Sequence, residues 1–203
     1  MEMALRVAIK LGGGLITDKG SMKKFDQKAV EKVVETLSSI SDLGASIVLV
    51  HGAGSFGHLL AKKWGIANGL DIQKEGGQWE AVKMIRSDMR ELNNLIIGKM
   101  EERGLECIGY PPSDWAKGTG ARFTGDISIF QGRCGQPIPV TFGDVVDTDD
   151  ESKFGILSGD DLMLRLSTEL QVTHSIFLIG DSEGVLTGPP DESGSELITH
   201  LGP

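Results

Sequence analysis

The sequence predicts an α/β protein built on an open, mainly parallel β-sheet. Two short apolar runs, residues 5–10 and 47–50, each lead into a glycine-rich loop, and a segment of helical periodicity lies between them. A strand–helix–strand unit of this kind makes its two strands parallel, so both loops are expected at the same edge of the sheet. Open α/β sheets bind their ligands at that carboxyl edge.

Composition bounds the class of protein. With 203 residues, 39% hydrophobic and 24% charged, the chain can bury one sizeable core as a single domain. The formal charge of −9 argues against a nucleic-acid surface. Cys107 and Cys134 lack metal-ligand spacing and are expected to be free thiols in a reducing compartment. Neither a signal peptide nor an apolar run of about 18 residues is found, so we expect a cytoplasmic protein without a membrane span.

The first glycine loop follows the first predicted strand. It contains Gly12, Gly13 and Gly14, flanked by Lys10 and Lys19. Successive glycines suit a backbone cradle for phosphoryl oxygens, and the lysines would supply positive charge. The loop matches neither the Walker A nor the Gly-x-Gly-x-x-Gly pattern. Taken alone, a flexible turn with two solvated lysines explains it equally well.

The second glycine loop is more densely built. Gly52, Gly54 and Gly57 lie within six residues, between an apolar run and a helical pattern, and His58 follows directly. Free N–H groups at a helix start favour an anion, most simply phosphate, and we expect His58 in the first turn beside it. The alternative is a glycine turn with two incidental histidines. Two such loops after consecutive strands favour the phosphate interpretation for both.

The remaining elements follow the same periodicities. The pattern predicts helices between Asp26 and Gly44, over 78–103 and over 159–170, and strands over 106–110, 138–142 and 175–179. Asp160 stands at the start of one helix, where an aspartate is most often a cap, but it also has the position to orient Lys10. The acidic residues 147–151 are interpreted as a solvated turn rather than a metal site. The pattern over residues 175–186, a strand followed by an acidic turn and a glycine, predicts a surface that binds a nucleoside, which we call the nucleotide shelf.

These motifs together resemble the isopentenyl phosphate kinases of the amino acid kinase superfamily. The specific part is the second loop with its terminal histidine, since related kinases of N-acetylglutamate, carbamate, aspartate or UMP share the glycine loops but lack that histidine. The matching segments, in the family's order, are Lys10-Leu11-Gly12-Gly13, Ile16-Thr17-Asp18-Lys19, residues 50–58, residues 142–146, residues 156–161 and residues 180–185.

The resemblance implies a three-layer αβα sandwich, with an acceptor-binding part over about 1–150 and a partial nucleotide-binding part over about 151–203 of one domain. It implies ATP as donor, Mg²⁺ bridging the phosphates, and a small phosphorylated isoprenoid, isopentenyl phosphate, as acceptor. A homodimer is compatible with it. The products would be isopentenyl diphosphate and ADP.

The resemblance also implies residue roles. Lys10, Gly12, Gly13 and Gly14 would contact the ATP phosphates, Lys19 would stabilise the transition state, and Ala53 and Gly54 would present backbone where donor and acceptor meet. His58 would bind the acceptor phosphate, Gly159 would lie beside the substrate, Asp160 would position the lysines, and Asp181 and Gly184 would belong to the nucleotide shelf. No protein metal ligand is implied.

The chain departs from the family pattern in a few places. Gly14 stands where the family usually has serine, and Ser182, Glu183 and Leu186 replace the more usual Val, Asp and Tyr. A C-terminal segment with a Gly-Gly-Met run and a nucleotide-binding lysine is expected in the family and is not found here. Two alternatives therefore stay open: a sister kinase of a small phosphate or phosphonate, as in fosfomycin kinases, and a non-catalytic phosphate-ligand-binding domain.

Overall fold

The computed structural model describes residues 5–18, 20–180, 184–188 and 192–200. Its strands are β1 (Arg6–Leu11), β2 (Ser46–His51), β3 (Cys107–Gly109), β4 (Ala116–Lys117), β5 (Thr124–Gly125), β6 (Ile138–Phe142), β7 (Asp144–Asp147), β8 (Phe154–Leu157) and β9 (His174–Leu178). Its helices are α1 (Gly13–Ile16), α2 (Gln27–Asp42), α3 (Gly54–Trp64), α4 (Glu75–Glu101), α5 (Pro112–Trp115) and α6 (Gly159–Glu169).

The principal sheet is parallel throughout. Its strand order is β3-β6-β2-β1-β9, and β1 pairs with β2 in a register that sets Lys10 beside Val50 and Leu11 beside His51. The strand–helix–strand prediction is therefore confirmed, and both glycine loops leave the same sheet edge. A second, four-stranded sheet has the order β5-β4-β7-β8, with β7 and β8 antiparallel.

Successive residues of the central strands face opposite layers. Val7, Ile9 and Leu11 of β1 join a core with α2, α3 and α4, whereas Ala8 joins a core with α6 and the second sheet. This alternation is what a strand gives when both faces of its sheet are covered. The predicted three-layer αβα arrangement around a mainly parallel sheet is thus confirmed.

Helix α2 begins and ends as the sequence predicts. The Asp26 carboxylate accepts a hydrogen bond of 3.0 Å from the Ala29 N–H, which caps the first turn. Gly44 follows the helix with φ +78°, a left-handed conformation that glycine adopts without strain. The helix buries one apolar face against the sheet, through Val30, Val33, Val34 and Leu37.

Helix α4 is longer at its start than the predicted 78–103. Buried Gln78 donates to the carbonyls of Trp64 and Gly69 and accepts from the Asp71 N–H, so it holds the preceding connection. That connection contains 3₁₀ turns at Ile66–Asn68 and Ile72–Lys74. Among the described residues, no helix has the length and apolar character needed to cross a bilayer.

Candidate active site

The two glycine loops lie against each other. The Gly52 N–H donates to the Leu11 carbonyl at 2.9 Å. A Cβ added at Gly13 would lie 2.4 Å from the Gly54 nitrogen, and one added at Gly52 would lie 2.7 Å from the Gly13 nitrogen. No side chain fits at those separations, so glycine at both positions is required by the close backbone approach. The predicted juxtaposition of the loops is confirmed.

A threonine hydroxyl joins the loops. Thr17 Oγ1 donates to the Gly13 carbonyl at 2.8 Å and accepts from the Ser55 N–H at 2.9 Å. The first turn of α3 has no side-chain cap from its own N-cap residue, Ala53, so Thr17 satisfies one of its amides from another segment. Sequence reasoning included Thr17 in a motif but did not find this role, because the contact spans 38 residues.

Backbone N–H groups remain available on both loops. We find no hydrogen-bond acceptor within the described residues for the amides of Gly14, Ala53 and Gly54. Unpaired amides clustered between two loops form the kind of concave surface that binds anions. The arrangement can therefore hold phosphate groups through backbone alone.

Lys10 and Asp160 meet beside this surface. Lys10 Nζ lies 2.6 Å from Asp160 Oδ1, with the lysine side chain 17% exposed and the aspartate side chain 71% exposed. Ser158, not Asp160, caps α6 by accepting from the Asp161 N–H. The cap interpretation of Asp160 is therefore wrong, and the predicted contact with Lys10 is present. A Cβ at Gly159 would lie 3.3 Å from Lys10 Cε, so Gly159 borders the same lysine.

His58 is exposed on α3. It lies four residues after Gly54, the first residue of the helix, which is one residue beyond the predicted first turn. Residues spaced by four share a helix face, so His58 lies on the same side of α3 as the second glycine loop. An exposed imidazole in this position can reach a ligand held by the loop.

Two other titratable groups are buried behind the loops. Burial lowers the pKa of His51 to about 4, and burial raises the pKa of Asp144 to about 6 despite a hydrogen bond from the Val145 N–H. Asp144 Oδ2 is buried without a hydrogen-bond partner in the described part of the chain. The Gly143 N–H, beside Asp144, donates to the His51 carbonyl at 3.0 Å. Sequence reasoning missed both groups, although the apolar run before His51 signalled its burial.

Two predicted site residues, Lys19 and Asp181, lie outside the described residues. Gly184 lies against Leu197, whose partner across an isolated bridge is Leu186. Nearer the first loop, the Gly12 N–H donates to the Leu178 carbonyl at 2.8 Å, so the end of β9 borders this loop.

A separate cavity of about 570 Å³ lies on the second sheet. Its lining includes Lys117, Arg122, Asp149 and Ile156 and contains no residue of either glycine loop. Lys117 is already paired with Asp149 at 3.1 Å. The candidate active site is thus the facing loops and not this cavity.

The chain is similar in sequence to known kinases. A profile of the amino acid kinase family matches residues 5–202. The chain belongs to the amino acid kinase family. It is 33% identical to isopentenyl phosphate kinase of Thermoplasma acidophilum over 94% of this chain and 73% of that protein. It is 29% identical to isopentenyl phosphate kinase of Methanothermobacter thermautotrophicus over 97% of this chain and 75% of that protein.

Solved structures give the same result. An X-ray structure of isopentenyl phosphate kinase superposes with a TM-score of 0.86 at 27% identity, covering 98% of this chain and 81% of that one. A UMP kinase from Bacillus anthracis, at 21% identity and a TM-score of 0.62, shares the fold. The predicted resemblance is confirmed, and the chain is a phosphotransferase of the isopentenyl phosphate kinase type within this family.

Proposed function

We propose that the chain transfers the γ-phosphoryl group of ATP to isopentenyl phosphate, giving isopentenyl diphosphate and ADP. The observation that carries this proposal is the direct contact of the two glycine loops, with Lys10 next to the first loop in sequence and His58 on the helix that follows the second. Phosphoryl transfer depends mainly on placing two phosphates in line and neutralising the charge between them. The names of the relatives support the choice of acceptor.

On the donor side, the loop of Gly12, Gly13 and Gly14 would hold the ATP phosphates through backbone N–H groups. Lys10 would neutralise charge on the transferred group, and Asp160 would hold the Lys10 ammonium in place. Lys19 is proposed to neutralise charge in the transition state, and Asp181 and Gly184 are proposed to border the nucleoside. Residues from about 151 would thus form a partial nucleotide-binding part of the same domain.

Mg²⁺ fits this donor side as a companion of ATP. Within the described residues, no group of three or more His, Cys, Asp or Glu side chains converges as a metal site. Magnesium bound to a nucleotide takes most of its ligands from phosphate oxygens and water, so it needs no protein cage. The ion would neutralise phosphate charge, and Asp160 is a carboxylate positioned beside the same loop.

On the acceptor side, the Ala53 and Gly54 amides and the His58 imidazole would bind the phosphate of isopentenyl phosphate. A phosphate oxygen of the acceptor would attack Pγ of ATP, the bond from Pγ to the bridging oxygen would break, and ADP would leave with that oxygen. A dianionic phosphate is already a nucleophile, so no side chain has to remove a proton. A homodimer and a cytoplasmic location stay predictions.

Steady-state kinetics with ATP and Mg²⁺ test the proposal. We expect a kcat/KM for isopentenyl phosphate that exceeds the value for fosfomycin by more than about a hundredfold. The reason is that the two acceptors differ in the group that the site must bury. A preference for fosfomycin would replace the acceptor in this proposal by a phosphonate. Ligand binding measured by calorimetry, with no turnover of either compound, would instead indicate a non-catalytic phosphate-binding domain.

A further inference from the structure

A buried histidine lies directly beneath the second glycine loop. His51 is the last residue of β2, is 0% exposed, and stacks on the Phe142 ring with centroids 4.9 Å apart. Its Nδ1 lies 3.0 Å from the Gly52 carbonyl oxygen, and its Nε2 lies 3.3 Å from Asn93 Oδ1 on α4. The imidazole therefore links a loop that would hold substrate with a helix on the neighbouring layer.

The partners of the two ring nitrogens limit the protonation states of this imidazole. A carbonyl oxygen only accepts, so Nδ1 must carry the proton that is shared with Gly52. Asn93 Oδ1 also only accepts, so a neutral ring with its proton on Nδ1 requires the Asn93 amide to be turned by 180°. That turn sets the Asn93 NH₂ group against the Nε2 lone pair. A doubly protonated ring is disfavoured because the ring is fully buried and its two partners carry no charge.

The bond to Gly52 also orients the next amide. The chain contains no cis peptide bond in its described part, and in a planar trans peptide the C=O and the following N–H point in opposite directions. Holding the Gly52 carbonyl toward His51 therefore turns the Ala53 N–H away from the buried ring. The other end of Gly52 is fixed by its N–H donating to Leu11.

We propose that His51, as its neutral Nδ1–H tautomer, is a positioning residue that aims the Ala53 amide at the acceptor phosphate, with Asn93 setting the ring from α4. This inference rests on the proposed function for the identity of the acceptor. It assigns to the first histidine of the loop a role different from that of His58, which would touch the phosphate itself.

Two amide substitutions separate the two ring nitrogens. In His51→Asn, the side-chain NH₂ reaches the position of Nδ1 and can still donate to Gly52, whereas in His51→Gln it reaches the position of Nε2. We expect His51→Gln to raise the KM for isopentenyl phosphate about tenfold, as for the loss of one buried hydrogen bond, and His51→Asn to raise it by less than about threefold. The KM for ATP should change by less than about twofold in both variants.

A merely structural role predicts the opposite ranking. Asparagine is smaller and leaves the larger void at a fully buried site, so His51→Asn should be the less stable variant in urea unfolding. The proposal is overturned if His51→Asn, the less stable variant, has the higher KM for isopentenyl phosphate. It is also overturned if the KM for ATP rises together with the KM for isopentenyl phosphate.

The tautomer can be measured without activity. In ¹⁵N-histidine-labelled protein, long-range ¹H–¹⁵N spectra distinguish Nδ1–H from Nε2–H rings, and His51→Gln identifies the signal among the four histidines of the chain. We expect a neutral Nδ1–H ring that does not titrate between about pH 5 and 8. An Nε2–H ring, or titration near the usual histidine value, would overturn the inference. Absence of turnover in the unmodified chain would instead overturn the proposed function, and the spectrum would still decide the hydrogen bond.

Discussion

The two glycine loops are alike in sequence but differ in the side chains that surround them. The first loop is flanked by Lys10, whose partner Asp160 has a side chain that is 71% exposed. The second loop continues into buried Ser55 and Phe56 and lies on fully buried His51. The ion pair beside the first loop thus reaches solvent, whereas the groups beneath the second loop are buried.

This difference suits the two loops to different roles, the first on the donor side and the second on the acceptor side. An exposed ion pair contributes little to stability and rearranges readily, so the donor side can adjust to the charge of the nucleotide. A loop fixed from beneath presents its amides in one arrangement before ligand binds, which costs little reorganisation during transfer. The predictions below test whether the two sides respond differently to substitution.

The largest effect is expected where the loops touch. Gly13→Ala would place its Cβ 2.4 Å from the Gly54 nitrogen, so the backbones must separate. Because misplacement of about 1 Å can cost a hundredfold in rate, we expect kcat/KM to fall more than about a hundredfold. Gly98→Ala is the matched control, since a Cβ there meets nothing within 4 Å on α4. Similar kcat/KM for both variants would show that the contact is not required.

The next effect concerns the charge on the donor side. Lys10→Met keeps the aliphatic stem but removes the ammonium, and we expect kcat to fall about a hundredfold with little change in acceptor KM. Asp160→Asn should lower kcat less, by about tenfold, because it only loosens the lysine. Lys117→Met, which breaks a comparable pair on the second sheet, is the control. A larger loss for Asp160→Asn than for Lys10→Met would contradict the assigned roles.

A smaller and more selective effect is expected on the acceptor side. His58→Gln removes the imidazole while keeping a polar side chain, and we expect the acceptor KM to rise about tenfold with the ATP KM nearly unchanged. His174→Gln, also exposed but on β9, should alter neither value. Equal increases in the two KM values would place His58 outside the acceptor site.

The smallest effect is a pH dependence of stability behind the second loop. The pKa of Asp144 is raised from 3.8 to about 6, so its contribution to stability is present below about pH 4 and is lost as pH rises through 6. Asp144→Asn removes this pH-dependent loss of stability, which is worth at most about 3 kcal/mol. The free energy of unfolding of the variant should therefore rise, relative to that of the unmodified chain, as the pH goes from about 4.5 to about 7.5.

Urea unfolding at both pH values measures this difference, with exposed Asp149→Asn as the control. His51 acts in the opposite sense, because its lowered pKa makes its contribution present above about pH 6.5 and lost as pH falls through about 4. If the difference in free energy of unfolding between Asp144→Asn and the unmodified chain does not vary with pH, the raised pKa of the buried Asp144 carboxyl is contradicted.

Much of the fold could be predicted because its signals are local. The Asp26 cap, the apolar stripe of α4 and the strand at Ile138–Phe142 each depend on residues close in sequence. The second sheet was missed because β7 carries two aspartates at its ends and pairs with β8 through an acidic turn. Such short strands are defined by their partners and not by their own pattern.

The parts of the candidate site that depend on local sequence could also be predicted. The sheet edge, the facing loops and the contact of Asp160 with Lys10 follow from strand order and glycine position. The bridging hydroxyl of Thr17 and the pairing of His51 with Asn93 did not follow, since those contacts join residues 38 and 42 positions apart. Residue type alone does not reveal a hydrogen-bond partner on another element.

The central claim is that the facing loops form one transfer site, and a crystal structure with a non-hydrolysable ATP analogue, Mg²⁺ and isopentenyl phosphate tests it most directly. We predict the γ-phosphate on the loop of Gly13 and the acceptor phosphate between Gly54 and His58, with the attacking oxygen about 3–3.5 Å from Pγ. Phosphates bound on separate surfaces, or an acceptor in the cavity lined by Lys117 and Arg122, would contradict the account.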